Sequence, residues 1–146
     1  MARNEVWPFT QHKTQVVPVP SGTKSGEAVR VGIINGIALV DRADAAAYTP
    51  TFADPLKHLE NPGAWGGGNA DGEATIAVDG GWRMPVIAGA APAVGDQVYI
   101  ITASRLLTVT ASGNQKFGVI VRDKSGAAPV DLTGGSFSCV VEPRQY

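Results

Sequence analysis

Thr75-Ile-Ala-Val-Asp-Gly-Gly-Trp-Arg-Met-Pro-Val86 sets two short runs of β-branched and aromatic residues on either side of an Asp-Gly-Gly turn. Asp79-Gly80 tolerates the positive φ angles of a type I′ turn, and the flanking residues suit a pleated, half-buried surface, so the stretch predicts a β-hairpin. The same pattern recurs along the chain. Nearly every apolar run is short, rich in Val or Ile, and bounded by Gly, Pro, Asn or Ser. That spacing predicts an all-β domain, built as a small barrel or sandwich.

Upstream of this stretch, Val16–Val19, Ala28–Val31 and Ile33–Val40 read as strands, with turn residues at Ser21-Gly22 and Lys24-Ser-Gly26. Asn35-Gly36 admits either a second tight hairpin turn or a bulge within one strand. Downstream, Gln97–Thr102, Leu106–Thr110, Lys116–Val121 and Val130–Val141 are separated by turn residues at 103–104, 112–114, 125–126 and 134–135. Gly26-Glu-Ala-Val-Arg-Val31 echoes Gly95-Asp-Gln-Val-Tyr-Ile100, and each precedes a Gly-led apolar run, Gly36–Leu39 and Gly118–Val121. The echo predicts two related β-units closing one barrel.

Two segments break the pattern. Residues 1–15 hold Trp7, Pro8, Phe9 and His12 in a polar context without period, which predicts an extended N-terminal arm that docks on a neighbour. Residues 42–72 are rich in Ala, Pro and Gly and include Asn61-Pro-Gly-Ala-Trp-Gly-Gly-Gly-Asn69, which predicts a long surface insertion in a single β domain spanning 16–146. Connections of this length are usually functional or disordered. Trp65, among the glycines, has two placements open to it: an exposed anchor for a partner, or a cover for the barrel.

At 146 residues the chain is long enough to bury about 70% of its extended surface without staples. Its single cysteine, Cys139, lies in an apolar run and is expected to be a small buried hydrophobe. Twelve basic and thirteen acidic residues are spread evenly, without the basic stripe that phosphate binding requires, so no direct nucleic-acid partner is expected. The apolar runs are too short to cross a bilayer and the N-terminus lacks a secretory core, so no membrane is expected and synthesis is expected in the cytoplasm.

Chemistry is equally sparse. The two histidines, His12 and His58, stand in the arm and the insertion and belong to no catalytic motif. Asn69, Asp71 and Glu73 faintly resemble a calcium loop but lack its further oxygen ligands. Gly66–Gly68 lack the Lys-Ser or Lys-Thr of a phosphate loop. No catalytic residue, metal site or cofactor is expected, and a binding or structural role is.

The order of these segments resembles the capsid decoration, or cement, proteins of tailed bacteriophages, some formerly labelled putative phage recombinases. The likeness is carried by Val17-Pro-Val-Pro-Ser-Gly-Thr-Lys-Ser-Gly-Glu-Ala-Val-Arg-Val-Gly32, Asn35–Leu39, Trp82-Arg-Met-Pro85, Val94-Gly-Asp-Gln-Val-Tyr99, Leu106–Thr110 and Phe117–Val121. It implies a compact β-barrel or β-tulip fold that binds the outer capsid surface at junctions of the major capsid protein, often as a homotrimer, as the shell expands. The insertion departs from the family's usual short connection. On this reading Asn4, Glu5, Val6, Trp7, Pro8 and Phe9 would add as a strand to a sheet edge of the capsid protein, with Trp65 as a further partner or surface anchor. Two other assignments fit an all-β virion protein: a self-assembling tail or head-completion component, and a glycan-binding module stacking sugars on Trp65 and Trp82.

Overall fold

A computed structural model describes residues 13–60 and 62–146. Ten strands run β1 (Thr14–Pro18), β2 (Ala28–Val31), β3 (Ile34–Ala38), β4 (Glu73–Ala77), β5 (Trp82–Ile87), β6 (Gln97–Ile100), β7 (Leu107–Thr108), β8 (Gln115–Val121), β9 (Val130–Leu132) and β10 (Ser136–Pro143). Two short helices, α1 (Ala45–Tyr48) and α2 (Lys57–Glu60), and a 3₁₀-type stretch over Pro62–Gly68 lie between β3 and β4. The all-β expectation holds. β5, β7, β6, β8 and β10 pair in that order, and β10 pairs back onto β5, closing a five-stranded barrel with β9 appended to β10. The other four strands form a separate sheet in the order β1-β4-β3-β2.

The barrel fills itself by alternation. β5 buries Trp82, Met84 and Val86 and turns Pro85 and Ile87 outward. Val98, Ile100, Leu107, Phe117, Ile120, Cys139 and Val141 complete the interior. The β6–β8 register slips beside Val98 and Tyr99, whose partners are Gly118 and Lys116, and leaves Phe117 as the extra residue. That bulge lets Phe117 and Ile120, three positions apart, both face inward. Ala28, Ile37 and Ala77 of the four-stranded sheet pack into the same cluster, and the sheet's opposite side gathers Val17, Val19, Val29, Ala38, Ala74 and Ile76.

Two expected turns are overturned. β4 and β5 form no hairpin: β4 is paired on both sides by β1 and β3, and β5 by β7 and β10, so neither has an edge left for the other. Residues 78–81 are instead a corner that carries the chain from the sheet into the barrel. Gly80 does take a positive φ of 88°, as the Asp-Gly pair predicts. The corner is pinned by the Trp82 indole N–H, which donates to the Asp79 carbonyl at 2.8 Å, and by the Lys13 N–H, which donates to the Asp79 carboxylate at 3.1 Å.

Asn35-Gly36 is neither a turn nor a bulge. Both residues lie inside β3 in an unbroken register with β2, where Arg30 faces Asn35 and Val29 faces Gly36, and the turn falls at Gly32-Ile33. Asn35 is fully buried and fastens the sheet to the barrel. Its side-chain amide donates to the Arg144 carbonyl at 2.6 Å and the Lys116 carbonyl at 3.2 Å, and its Oδ1 accepts from Arg30 at 2.9 Å. Gln145 satisfies its main chain at both ends, accepting from its N–H at 2.8 Å and donating to its carbonyl at 2.9 Å. A buried amide with every group paired has its desolvation cost offset and favours one relative placement of the two sheets.

The internal echo is structural. Gly26 N–H donates to Ala38 O at 2.7 Å and Ala38 N–H to Glu27 O at 2.9 Å, while Gly95 N–H donates to Ile120 O and Ile120 N–H to Asp96 O, both at 2.9 Å. The acids close their turns alike, Glu27 accepting from Lys24 N–H at 3.0 Å and Asp96 from Ala93 N–H at 2.8 Å. Only the β6–β8 unit belongs to the barrel, however; β2–β3 belongs to the covering sheet, so the expected closure by both units is corrected. In each unit an in-strand glycine meets a carbonyl of a third strand. A Cβ on Gly36 would stand 2.6 Å from Ala77 O, and one on Gly118 would stand 2.1 Å from Glu142 O. Gly118→Ala must therefore push β8 off β10 within the closed barrel. The expected cost is about 3 kcal/mol, the upper range for overpacking, and a Tm lower by roughly 10 °C in calorimetry.

Candidate functional site

The insertion is an overgrown hairpin loop. β3 and β4 pair antiparallel, Ile37 with Ala77 and Ala38 with Ile76, and Leu39 N–H continues the ladder to Thr75 O at 2.9 Å. Ala43 then bridges the returning chain, donating to Glu73 O and accepting from Gly72 N–H, both at 2.8 Å. Beyond that bridge the chain folds on itself. Asp44 N–H donates to Ala64 O at 2.8 Å and Ala45 N–H to the Asp71 carboxylate at 2.9 Å. Gly66, in the left-handed region at φ 59°, lies against Ala43 so closely that a Cβ would stand 2.5 Å from that side chain. The glycine run is thus a fold-back onto the insertion's own stem.

Neither α1 nor α2 buries a side chain. The apolar residues they carry and flank are left in solvent: Phe52 is fully exposed at 106%, Leu56 is 59% exposed, Leu59 63% and Trp65 47%. Trp65 meets Tyr48 edge-on, with ring centroids 6.2 Å apart. Four large apolar side chains left exposed within fourteen residues mark this segment as a candidate interaction site. Of the sequence candidates only Trp65 falls on it. Asn4, Glu5, Val6, Trp7, Pro8 and Phe9 lie outside the described residues. Phe52, Leu56 and Leu59 were not singled out by sequence: they stand at i, i+4 and i+7, a helical spacing, but Pro50 precedes the run and Pro55 interrupts it, so no amphipathic helix is signalled.

The remaining candidates are spoken for. Trp82 is fully buried and offers no stacking face to a sugar. Asn69 exchanges hydrogen bonds with the Thr75 hydroxyl, and Asp71 caps Ala45, so the loop 69–73 closes the insertion's stem. Among the described residues no group of three or more His, Cys, Asp or Glu side chains could hold a metal ion. No described helix is long and apolar enough to cross a membrane.

A groove of about 460 Å³ lies where β10 passes from β9 to β8, lined by Pro92, Val94, Ala128, Pro129 and the β10 stretch Ser138–Val140. Burial pushes the Cys139 thiol up to about 11, so it stays protonated, and the expectation of a buried hydrophobe is met. Asp123 at the groove's rim accepts from the Ser125 hydroxyl at 2.7 Å and N–H at 2.8 Å and pairs with Arg83. The Ser125 bonds, then the Arg83 charge, hold its carboxyl below the ordinary range. A carboxylate depressed on folding stabilises above its unfolded pKa and loses that contribution as pH falls through its folded one. Asp123→Asn should flatten the stability loss of the native protein below about pH 4, read by urea unfolding across pH.

A family model for phage cement proteins matches residues 9–133, which include the barrel strands β5–β8, the whole four-stranded sheet and the insertion. No curated protein and no solved structure matches the chain. The match covers most of the chain and the fold is a β-barrel, so the chain belongs to the phage cement protein family, whose members bind the capsid and decorate it.

Proposed function

We propose that the chain binds the outer surface of the expanded phage head through two contacts, the insertion and the N-terminal arm, and reinforces the shell without catalysis or cofactor. The observation that carries this is the exposed apolar set Phe52, Leu56, Leu59 and Trp65 on a platform anchored to the sheet by Ala43 and Glu73. A pressurised shell needs its seams held by contacts that do not depend on salt. Apolar burial supplies about 25 cal/mol per Å² and is not screened, whereas an even charge balance gives little long-range attraction.

The arm supplies the second contact. Asn4–Phe9 adds as an extended strand to an edge of the major capsid protein, with Trp7 and Phe9 in pockets. The protein is made in the host cytoplasm and meets neither nucleic acid nor membrane directly. Three copies acting together as a homotrimer would raise the effective concentration of each further contact, and avidity could exceed single-site affinity by about 10²–10⁴-fold. Residues 16–146 act as one β domain that holds both contacts in place.

Co-sedimentation of the purified chain with expanded heads and with unexpanded procapsids of the same phage tests the reading. Saturable binding at a fixed ratio to the capsid protein, on expanded heads alone, is expected. Failure to bind either shell would remove the proposal, and equal binding to both would remove expansion as the switch.

A further inference from the structure

Among the described residues three strands leave an edge open: β1 and β2 in the sheet, and β9 beside the barrel. Exposed edges are ordinarily guarded by short length, charge or proline. β9 has three residues with Asp131 at its centre, and β2 carries Arg30. β1, Thr14-Gln-Val-Val-Pro18, has no charge at all, and Val16 on it is 52% exposed. Its register fixes what the edge presents. Lys13 and Val19 bond to the residues flanking β4, through Val78 N–H to Lys13 O at 2.9 Å and Val19 N–H to Gly72 O at 3.1 Å, so by antiparallel alternation the main-chain groups of Thr14, Val16 and Pro18 point away from the sheet. Among the described residues nothing bonds to them.

We infer that the β1 edge pairs antiparallel with the β1 edge of a second copy, centred on Val16. In that register Val16 faces Val16, and each Val16 N–H donates to the other's carbonyl. Each Thr14 N–H donates to the other copy's Pro18 carbonyl. The one residue that cannot donate, Pro18, stands where its missing N–H costs only the Thr14 carbonyl at the rim, which water can serve. Every outward N–H of the strand is therefore used. No like charges oppose one another: Gln15 faces Val17, and Lys13 faces Val19, which sets the two Lys13 residues about 20 Å apart along the ribbon at about 3.3 Å per residue. The same operation at β9 would set Asp131 against Asp131, so β1 is the edge that fits a copy of itself. The pairing would join two four-stranded sheets into one continuous sheet across a two-fold axis.

This inference does not rest on capsid binding and is tested on the free full-length chain. Sedimentation velocity over a concentration series should show reversible self-association that Val16→Lys weakens at least tenfold while leaving the Tm unchanged. Val16→Cys should give a disulfide-linked dimer on mild oxidation, because facing residues of such a pair have Cα atoms about 5.5 Å apart, within disulfide reach. Val130→Cys on β9 should not, and Cys139, 1% exposed, cannot contribute. A chain that stays monomeric, an association indifferent to Val16→Lys, or no Val16→Cys cross-link would overturn the proposal. If the free chain is monomeric yet Val16→Lys lowers head binding, the edge takes a capsid strand and not a second copy.

Discussion

Replacing Phe52 and Leu56 together by alanine is expected to lower affinity for expanded heads by about a hundredfold or more, with no loss of fold. Buried interface anchors commonly contribute 2 kcal/mol or more on truncation, about thirtyfold each. Phe52 is fully exposed and Leu56 is 59% exposed in the free chain, so removing them opens no cavity. Surface changes of that kind usually stay within about 0.5 kcal/mol of stability, and the Tm should move by no more than roughly 2 °C. The measurement is a head-binding isotherm beside a thermal melt. Unchanged affinity in the double variant would place the insertion on the solvent side of the shell and leave the arm as the contact. Trp7→Ala in parallel separates the two: if both sites act, each variant weakens binding and their combination removes it.

The asymmetry between what the sequence disclosed and what it withheld has a physical origin. Strands such as Ala28–Val31, and Gln97–Ile100 within the expected Gln97–Thr102, were legible because alternation, β-branching and flanking glycines are local properties. Pairing is not local. Asp79-Gly80 has the chemistry of a tight turn and Gly80 does adopt positive φ, yet the strands it joins are claimed on both sides by distant partners, β10 beginning 49 residues past the end of β5. Asn35-Gly36 misleads for the same reason: the dipeptide usually found in turns is used here in a strand, the amide to clasp Lys116 and Arg144, the glycine to let the Ala77 carbonyl approach. The repeat around Gly26 and Gly95 was readable because each glycine and acid closes a turn within a few residues; which sheet each unit joins was not.

The candidate surface shows the same division. Trp65 attracted notice because a tryptophan among glycines is conspicuous, and it is indeed half-exposed. Phe52, Leu56 and Leu59 carry no motif: their i, i+4, i+7 spacing is cut by Pro55, and an apolar residue is ordinarily assumed to turn inward. Their exposure follows from the stem: with Gly66 folded tightly onto Ala43 and α1 and α2 one turn long, the insertion has no interior large enough to receive them.

Trp82→Ala should be the most damaging single change in the barrel. The side chain is fully buried, faces the same interior as Val141 on its paired strand, and holds the 78–81 corner through its bond to Asp79 O. Truncating a buried tryptophan costs about 3–5 kcal/mol, against a total stability of about 5–15 kcal/mol for a domain of this kind. The Tm should fall by roughly 10–15 °C, and the urea midpoint should shift with it. Trp82→Phe keeps most of the packing and loses only the indole N–H, so it should cost about 1–2 kcal/mol, the net worth of one hydrogen bond plus a small cavity. The gap between the two variants measures how far the corner depends on filling rather than on its bond. Head binding separates this residue from the surface set: folded Trp82→Phe protein should bind heads as the parent does, since nothing of Trp82 reaches solvent. A phenylalanine variant that folds normally but fails to decorate would contradict that division between barrel and platform, and would move the capsid contact to the corner where sheet and barrel meet.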